Sequence, residues 1–321
     1  MEVYHSPYYN CKNLLITAAI KRKGYSIEGL WKKVGFHFDP YSDFIITPYY
    51  LSLEDELNSY GFSLNTYYYK DANEFYDALH NYINNQIIVG VGLDLYELPY
   101  SMYYNEEHQN HAVEVIGYEE GNFIVLDHYY NYFGNIPEAA FDKAIKSNLE
   151  NNQQSLQIYF INDNVKENRT ENTKEIINEN ILALEGKRKY INQSDTSITG
   201  ISGILNFKNR LINEFSRVPS SEQKDEIHEL VYPVIKEISY SRYHFKTFIG
   251  LLGDEYLSEK LHDISQNWSV LGHLLLKANL SKNYDKMLTR IDNKLEDLYE
   301  KENNAVELLQ QFMASQKANT N

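Results

Sequence analysis

The stretch His111–Asp127, "HAVEVIGYEEGNFIVLD", decides how the first half of the chain folds. Residues 111–118 alternate apolar and polar side chains, the period of a strand with one buried face. Glu119-Glu120-Gly121-Asn122 is a turn, and "FIVLD" at 123–127 returns as the hairpin partner. In an antiparallel pair the start of one strand lies beside the end of the other. His111 and Asp127 are therefore expected to be neighbours, provided the turn sits at 119–122. A register shift of one residue would turn one of the two side chains away.

A histidine oriented by a carboxylate calls for a nucleophile, and the chain holds one cysteine, Cys11, in "YYNCKNLL" at 8–15. Leu14, Leu15, Ala18 and Ala19 recur at helical spacing and Gly24 ends the run, so a helix is predicted over 14–23. Cys11 falls at its first turn. A thiol reacts as thiolate, and a helix N-terminus and a neighbouring histidine both favour that anion. Of ten histidines, His111 opens a strand directly after the polar loop "YYNEEHQN", with His108 its nearest rival. Cys11, His111 and Asp127 thus form a candidate nucleophile, base and orienting acid. Each also has a plainer reading: a buried small hydrophobe, a loop histidine and a turn cap. Oxyanion donors would be the backbone N–H of Cys11 with the side chain of His5 or Asn10. Asp94, in "GLDLYELPY", ends a strand and is either structural or lines the cleft.

The bulk composition is globular, with 43% hydrophobic and 23% charged residues over 321 positions. No run approaches the roughly 18 apolar residues of a membrane helix. No basic-then-apolar N-terminus announces a signal peptide. One cysteine allows no internal disulfide and no thiolate zinc site, which suits a reducing cytoplasm. No metal or bound cofactor is expected. A net charge of −15 argues against nucleic-acid binding. The exception is local: Lys21, Arg22, Lys23, Lys32 and Lys33 cluster near the cysteine, either as solvated cations or as a docking face for an acidic partner. Tyrosine is abundant at 29 residues and clustered in pairs and triplets, a supply of amphipathic rings for a cleft.

Along the chain, helices are also predicted over 52–60 and 73–84, and strands over 86–94 and 155–161. Residues 163–173, "NDNVKENRTEN", are a polar linker. Helices then follow at 174–186, 203–216, 221–239, 241–251, 256–278 and 281–314. The expected architecture is an α+β domain at 1–162, the linker, and an all-helical domain at 174–321.

The order of Cys on a helix start, then His and Asp on the following sheet, resembles the papain-like fold. "HAVEVIGY…FIVLD" is similar to the His and Asp strands of bacteriocin-processing cysteine peptidases. Those usually carry Gln six residues before the cysteine and Asp-Cys-Gly at it, where this chain has His5 and Asn10-Cys11-Lys12. A closer resemblance is to the butirosin biosynthesis protein H family. It rests on "YYNCKNLLITAAIKRKGY" (8–25), the segment "VGVGLDLYELPY…NFIVLD" (89–127), "YHFKTFIGLL" (243–252) and "NWSVLGHLLLKA" (267–278), strong over 1–145 and looser after 195. That resemblance implies a papain-like acyltransferase domain followed by a helical domain. It implies that Cys11 takes an acyl group from the phosphopantetheine thioester of an acyl or peptidyl carrier protein. His111 would then activate a small amine acceptor, with Asp127 orienting it. Carrier proteins are acidic, which fits the basic cluster as a docking face. A cysteine hydrolase using water as acceptor, and a non-catalytic binding partner of an assembly line, are the rival expectations. A homodimer is left open.

Overall fold

The computed structural model describes residues 1–41, 44–151, 155–163, 172–191, 193–218 and 220–318. Its elements begin with α1 (Cys11–Arg22), β1 (His37–Asp39), β2 (Ile45–Thr47), α2 (Leu53–Ser59), β3 (Phe62–Tyr69) and α3 (Ala72–Asn84). Next come β4 (Val89–Asp94), β5 (Asn110–Glu119), β6 (Asn122–Asp127), β7 (Tyr132–Pro137), α4 (Glu138–Asn151) and β8 (Leu156–Asp163). The remainder is α5 (Thr173–Leu184), β9 (Ile198–Thr199), α6 (Gly200–Arg217), α7 (Ser221–Leu251), α8 (Glu255–Ser281) and α9 (Tyr284–Ala318). Among the described residues the fold is mixed α/β, with two antiparallel sheets and a helical C-terminal region. Among the described residues no helix is long and apolar enough to cross a membrane.

Two compact units divide the chain. One comprises Met1–Ile27 with Gly61–Asn168, the other Glu28–Tyr60 with Arg169–Asn321. This differs from a division at 162 and 174, which would leave residues 28–60 with the large sheet. The reason is apolar: Val34, Phe36, Phe38 and Ile46 are buried in one cluster with Phe207, Ile235 and Trp268 of the helices. Most of the expected linker, 164–171, lies outside the described residues.

In the first unit a six-stranded antiparallel sheet runs in the order β3-β8-β4-β5-β6-β7. Its core is made by alternate residues of the central strands. Val91, Leu93, Val113, Val115 and Val125 are sealed from water together with Phe75 and Leu79 of α3 and Phe141 of α4. Burying each such side chain contributes about 1.5–3 kcal/mol. The β5–β6 turn is two residues long, with Glu120 and Gly121 both at positive φ (48° and 78°). That is the primed turn whose twist suits a hairpin, and glycine meets its second position without a Cβ clash.

Register sets the site. From the turn, Glu119 faces Asn122, Tyr118 faces Phe123 and Gly117 faces Ile124. Beyond that, Val115 faces Val125 and Glu114 faces Leu126. Ile116 is therefore an extra residue, a β-bulge. Carried one step further, this register sets Asp127 opposite Val113, on the face His111 shares. Without the bulge Asp127 would stand opposite Glu114, on the other face.

In the second unit, β2-β1-β9 form a small antiparallel sheet beside long helices. α7 runs unbroken from Ser221 to Leu251 through Pro233, where two helices, 221–239 and 241–251, were expected. Residue 240 carries no breaker, and Ser241 and Arg242 are buried within the helix. Arg242 Nε donates to Glu302 Oε1 at 2.8 Å, its Nη1 donates to the Gly35 carbonyl at 2.8 Å, and Trp268 Nε1 joins the same carboxylate oxygen at 2.8 Å. This buried ion pair ties residue 35 to three helices.

Candidate active site

α1 begins at Cys11 itself, three residues before the expected start. Asn10 is the N-cap: its Oδ1 accepts the N–H of Asn13 at 2.8 Å, and its carbonyl accepts Leu14 N–H at 3.0 Å. Cys11 is thus the first helical residue, with its N–H outside the intrahelical ladder and the positive end of the helix dipole at its back. Lys21 and Arg22 close the last turn and complement the dipole at the other end.

The three sequence candidates come together. His111 Nε2 lies 2.8 Å from Asp127 Oδ2, and both side chains are buried. The other oxygen of Asp127 accepts the backbone N–H groups of Tyr129 (2.9 Å) and Tyr130 (3.1 Å). The carboxylate is therefore fixed at both ends. The side chain of His111 also hydrogen-bonds the Cys11 sulfur, which receives a further bond from the Ala112 backbone. Burial pushes the thiol up. The His111 charge and those two hydrogen bonds outweigh it, against a smaller opposing effect of Asp127, so Cys11 falls below the ordinary thiol value. Burial alone would lower His111, but Asp127 and the thiolate carry it the other way, to about 10. Both shifts favour the thiolate and imidazolium forms of the pair.

Tyrosines enclose these groups. Tyr129 and Tyr130 set ring edges toward His111, at centroid distances of 5.7 and 5.3 Å. Tyr100 stacks on Tyr132 at 3.9 Å. Burial first, and then the Asp127 carboxylate, hold the Tyr100 hydroxyl well above its usual value.

Sequence reasoning missed His128. It is buried, its Nε2–H donates to Glu114 Oε2 at 3.0 Å, and its Nδ1 accepts the Tyr4 N–H at 3.0 Å. Glu114 is in turn held bidentately by Arg22, with Nη1–Oε1 at 3.1 Å and Nη2 on Oε2. The chain Arg22–Glu114–His128–Tyr4 pins the N-terminal arm leading to Cys11 against the strand that ends in Asp127. The available signal was alternation: Glu114 and His128 fall on the face opposite His111.

The other candidates are engaged elsewhere. His5 Nδ1 lies 3.0 Å from the His128 carbonyl, which only accepts, so Nδ1 carries the proton and Nε2 is bare in the neutral ring. Asn10 gives its Oδ1 to the helix cap. Asp94 is fully buried, accepting Ser147 Oγ at 2.6 Å, His108 Nδ1 at 2.6 Å, and the N–H groups of Tyr96 and Gln109 at 3.1 Å each. Burial raises its carboxyl, and these bonds, led by Ser147 and His108, bring it below the usual aspartate range. His108 stacks on Tyr96 at 4.3 Å and serves Asp94 rather than Cys11. Among the basic residues, Lys21 lies over the Tyr4 ring at 4.6 Å and Lys23 pairs with Asp163 at 3.0 Å. In the second unit Lys32 lies over the rings of Tyr60 and Phe248, and Lys33 is buried. Among the described residues no group of three His, Cys, Asp or Glu side chains is placed to hold a metal ion.

Residues 29–128 match the family Butirosin biosynthesis protein H, N-terminal. The family resemblance read from the sequence is borne out over this segment, which contains His111 and Asp127 and begins after Cys11. No curated protein matches the chain.

Proposed function

We propose that the chain is a cysteine acyltransferase of antibiotic or related secondary-metabolite biosynthesis, and that its first unit is a papain-like catalytic domain. The observation that carries this reading is the hydrogen-bonded series from Cys11 through His111 to Asp127. The Cys11 thiolate attacks the carbonyl carbon of a carrier-bound thioester. The tetrahedral adduct collapses, expelling the phosphopantetheine thiolate, which takes the proton of the His111 imidazolium. Neutral His111 then removes a proton from the incoming amine as its nitrogen attacks the acyl-Cys11 carbonyl. Cys11 leaves as thiolate beside a restored imidazolium. Asp127 keeps the ring oriented and stabilises its positive form throughout. The carrier protein docks through exposed cations near α1, Lys21 and Lys23 among them.

The test is intact-mass analysis of the protein after exposure to an acyl thioester of N-acetylcysteamine, a minimal mimic of phosphopantetheine. One acyl group per chain is expected on wild type and none on Cys11→Ala. Adding an amine should discharge it as amide. Discharge as free acid at the same rate with and without amine makes the protein a hydrolase. Absence of any acylation contradicts the proposal.

A further inference from the structure

The helix that presents Cys11 belongs to a closed circuit of bonds. Tyr4 N–H donates to His128 Nδ1 at 3.0 Å, and His128 Nε2–H donates to Glu114 Oε2 at 3.0 Å. Glu114 accepts both Nη groups of Arg22, in the last turn of α1. From Arg22 the chain runs back through α1 and Cys11 to Tyr4 and closes the circuit. Two contacts tighten the arm. His5 Nδ1–H donates to the His128 carbonyl at 3.0 Å. The Tyr4 ring meets the ring of buried Tyr9, two residues before Cys11, edge to face at 6.3 Å.

Apolar packing does not by itself fix the position of α1. Leu14, Leu15, Ile16, Ala18 and Ile20 are buried at successive positions around the helix, and apolar burial is non-directional. A satisfied polar network admits one arrangement. His128 and Glu114 are 2% and 1% exposed, so a slide or rotation of α1 opens a buried link. His128 fits this circuit only as its neutral Nε2–H tautomer. A second proton would sit on Nδ1 and face the Tyr4 N–H, donor against donor. The carboxylates nearby are already engaged, Glu114 of β5 by Arg22 and Asp127 by His111. The other titratable groups around the imidazole are Lys21 of α1, 4.6 Å over the Tyr4 ring, with Tyr4 and His5 of the arm and Tyr129 next in sequence.

We infer that His128 is a positioning residue for Cys11: neutral, it seats the N-terminal arm so that the thiol meets His111, and protonated, it releases that arm. The inference rests on the Cys11–His111 pair of the acyl-transfer reading above. His128 exchanges no proton with the reacting groups and acts through Tyr4 and the arm alone.

Alkylation of Cys11 by iodoacetamide across pH, read by intact mass on the full chain, tests this. His128→Leu removes both ring nitrogens. Its thiol should titrate closer to the ordinary value of about 8.5, which slows alkylation at pH 7 by about tenfold or more. His128→Asn keeps an acceptor oxygen near the place of Nδ1 and takes up no proton. It should restore the rate at pH 7, and its acid limb should lie at lower pH than that of wild type. A wild-type profile in folded His128→Leu overturns the inference alone. So does a His128→Asn variant whose acid limb matches wild type, or one that alkylates no faster at pH 7 than His128→Leu. Circular dichroism checks folding, and if His128→Leu is unfolded the acid limb of His128→Asn decides. An ordinary thiol titration in wild type removes the Cys11–His111 pair, and the acyl-transfer reading falls together with this inference.

Discussion

Asp127 reaches His111, 2.8 Å from Oδ2 to Nε2, only because Ile116 is an extra residue between them. The β5–β6 turn alone would direct the carboxylate to the opposite face, beside Glu114. The bulge shifts the pairing by one and gathers His111, Val113 and Asp127 on one side. The opposite side keeps Glu114, His128 and Arg22 for the structural network. One inserted residue thus separates the acid that orients the base from the acid that anchors the N-terminal arm.

Asp127→Asn tests the orienting role. The amide keeps the size of the side chain but loses the charge that stabilises the imidazolium. Thioester acylation should fall by about 10⁴-fold, the scale seen when a triad carboxylate is replaced by its amide. The pH at which Cys11 becomes reactive should rise at the same time. Single-turnover acylation and alkylation profiles check the two effects separately.

Arg22→Ala tests the anchor. It leaves Glu114, 1% exposed, with a buried charge and only His128 as partner. Losing one member of a buried pair costs about 3–5 kcal/mol. Arg22 itself is partly solvated, so the lower end of that range is expected in urea denaturation.

Asp94→Asn tests the loop before His111. The hydrogen bonds from Ser147, His108 and two backbone N–H groups hold the Asp94 carboxyl below its ordinary value. A group lowered by folding stabilises the protein above its unfolded pKa, about 3.9, and that stability is lost as pH falls through the folded value. The variant should be about 1–3 kcal/mol less stable than wild type at pH 7. The gap should close below about pH 4, as read from denaturation midpoints across pH.

Much of this arrangement was legible in the sequence because it is local. The alternation of 111–118, the turn at 119–122 and the cysteine before an apolar helix are short-range patterns, and all three appear in the structure. The bulge at Ile116 was not read from the sequence, although the adjacent apolar pair Val115-Ile116 breaks the period of two at that point. β3 and β7 escaped because they are edge strands, only partly covered, with "FSLNTYYY" and "YFGNIP" giving weak contrast between faces. α4 follows Pro137 with Phe141, Ala144 and Ile145 at helical spacing, a signal present but overlooked. The grouping of 28–60 with the helices depends on Phe36 and Phe38 meeting residues about 170 to 230 positions later, such as Phe207 and Trp268. No local pattern encodes that.

The central claim is that Cys11 and His111 form a thiolate–imidazolium pair. The most direct measurement is the pH dependence of Cys11 alkylation by iodoacetamide, read by intact mass, in wild type and His111→Ala. The chain has a single thiol, so each added mass reports Cys11. Wild type should react well below the ordinary thiol pKa of about 8.5 and hold a plateau until His111 loses its proton near pH 10. In His111→Ala the low-pH limb should disappear. An ordinary thiol titration in both proteins, or one unchanged by the loss of His111, would contradict the account.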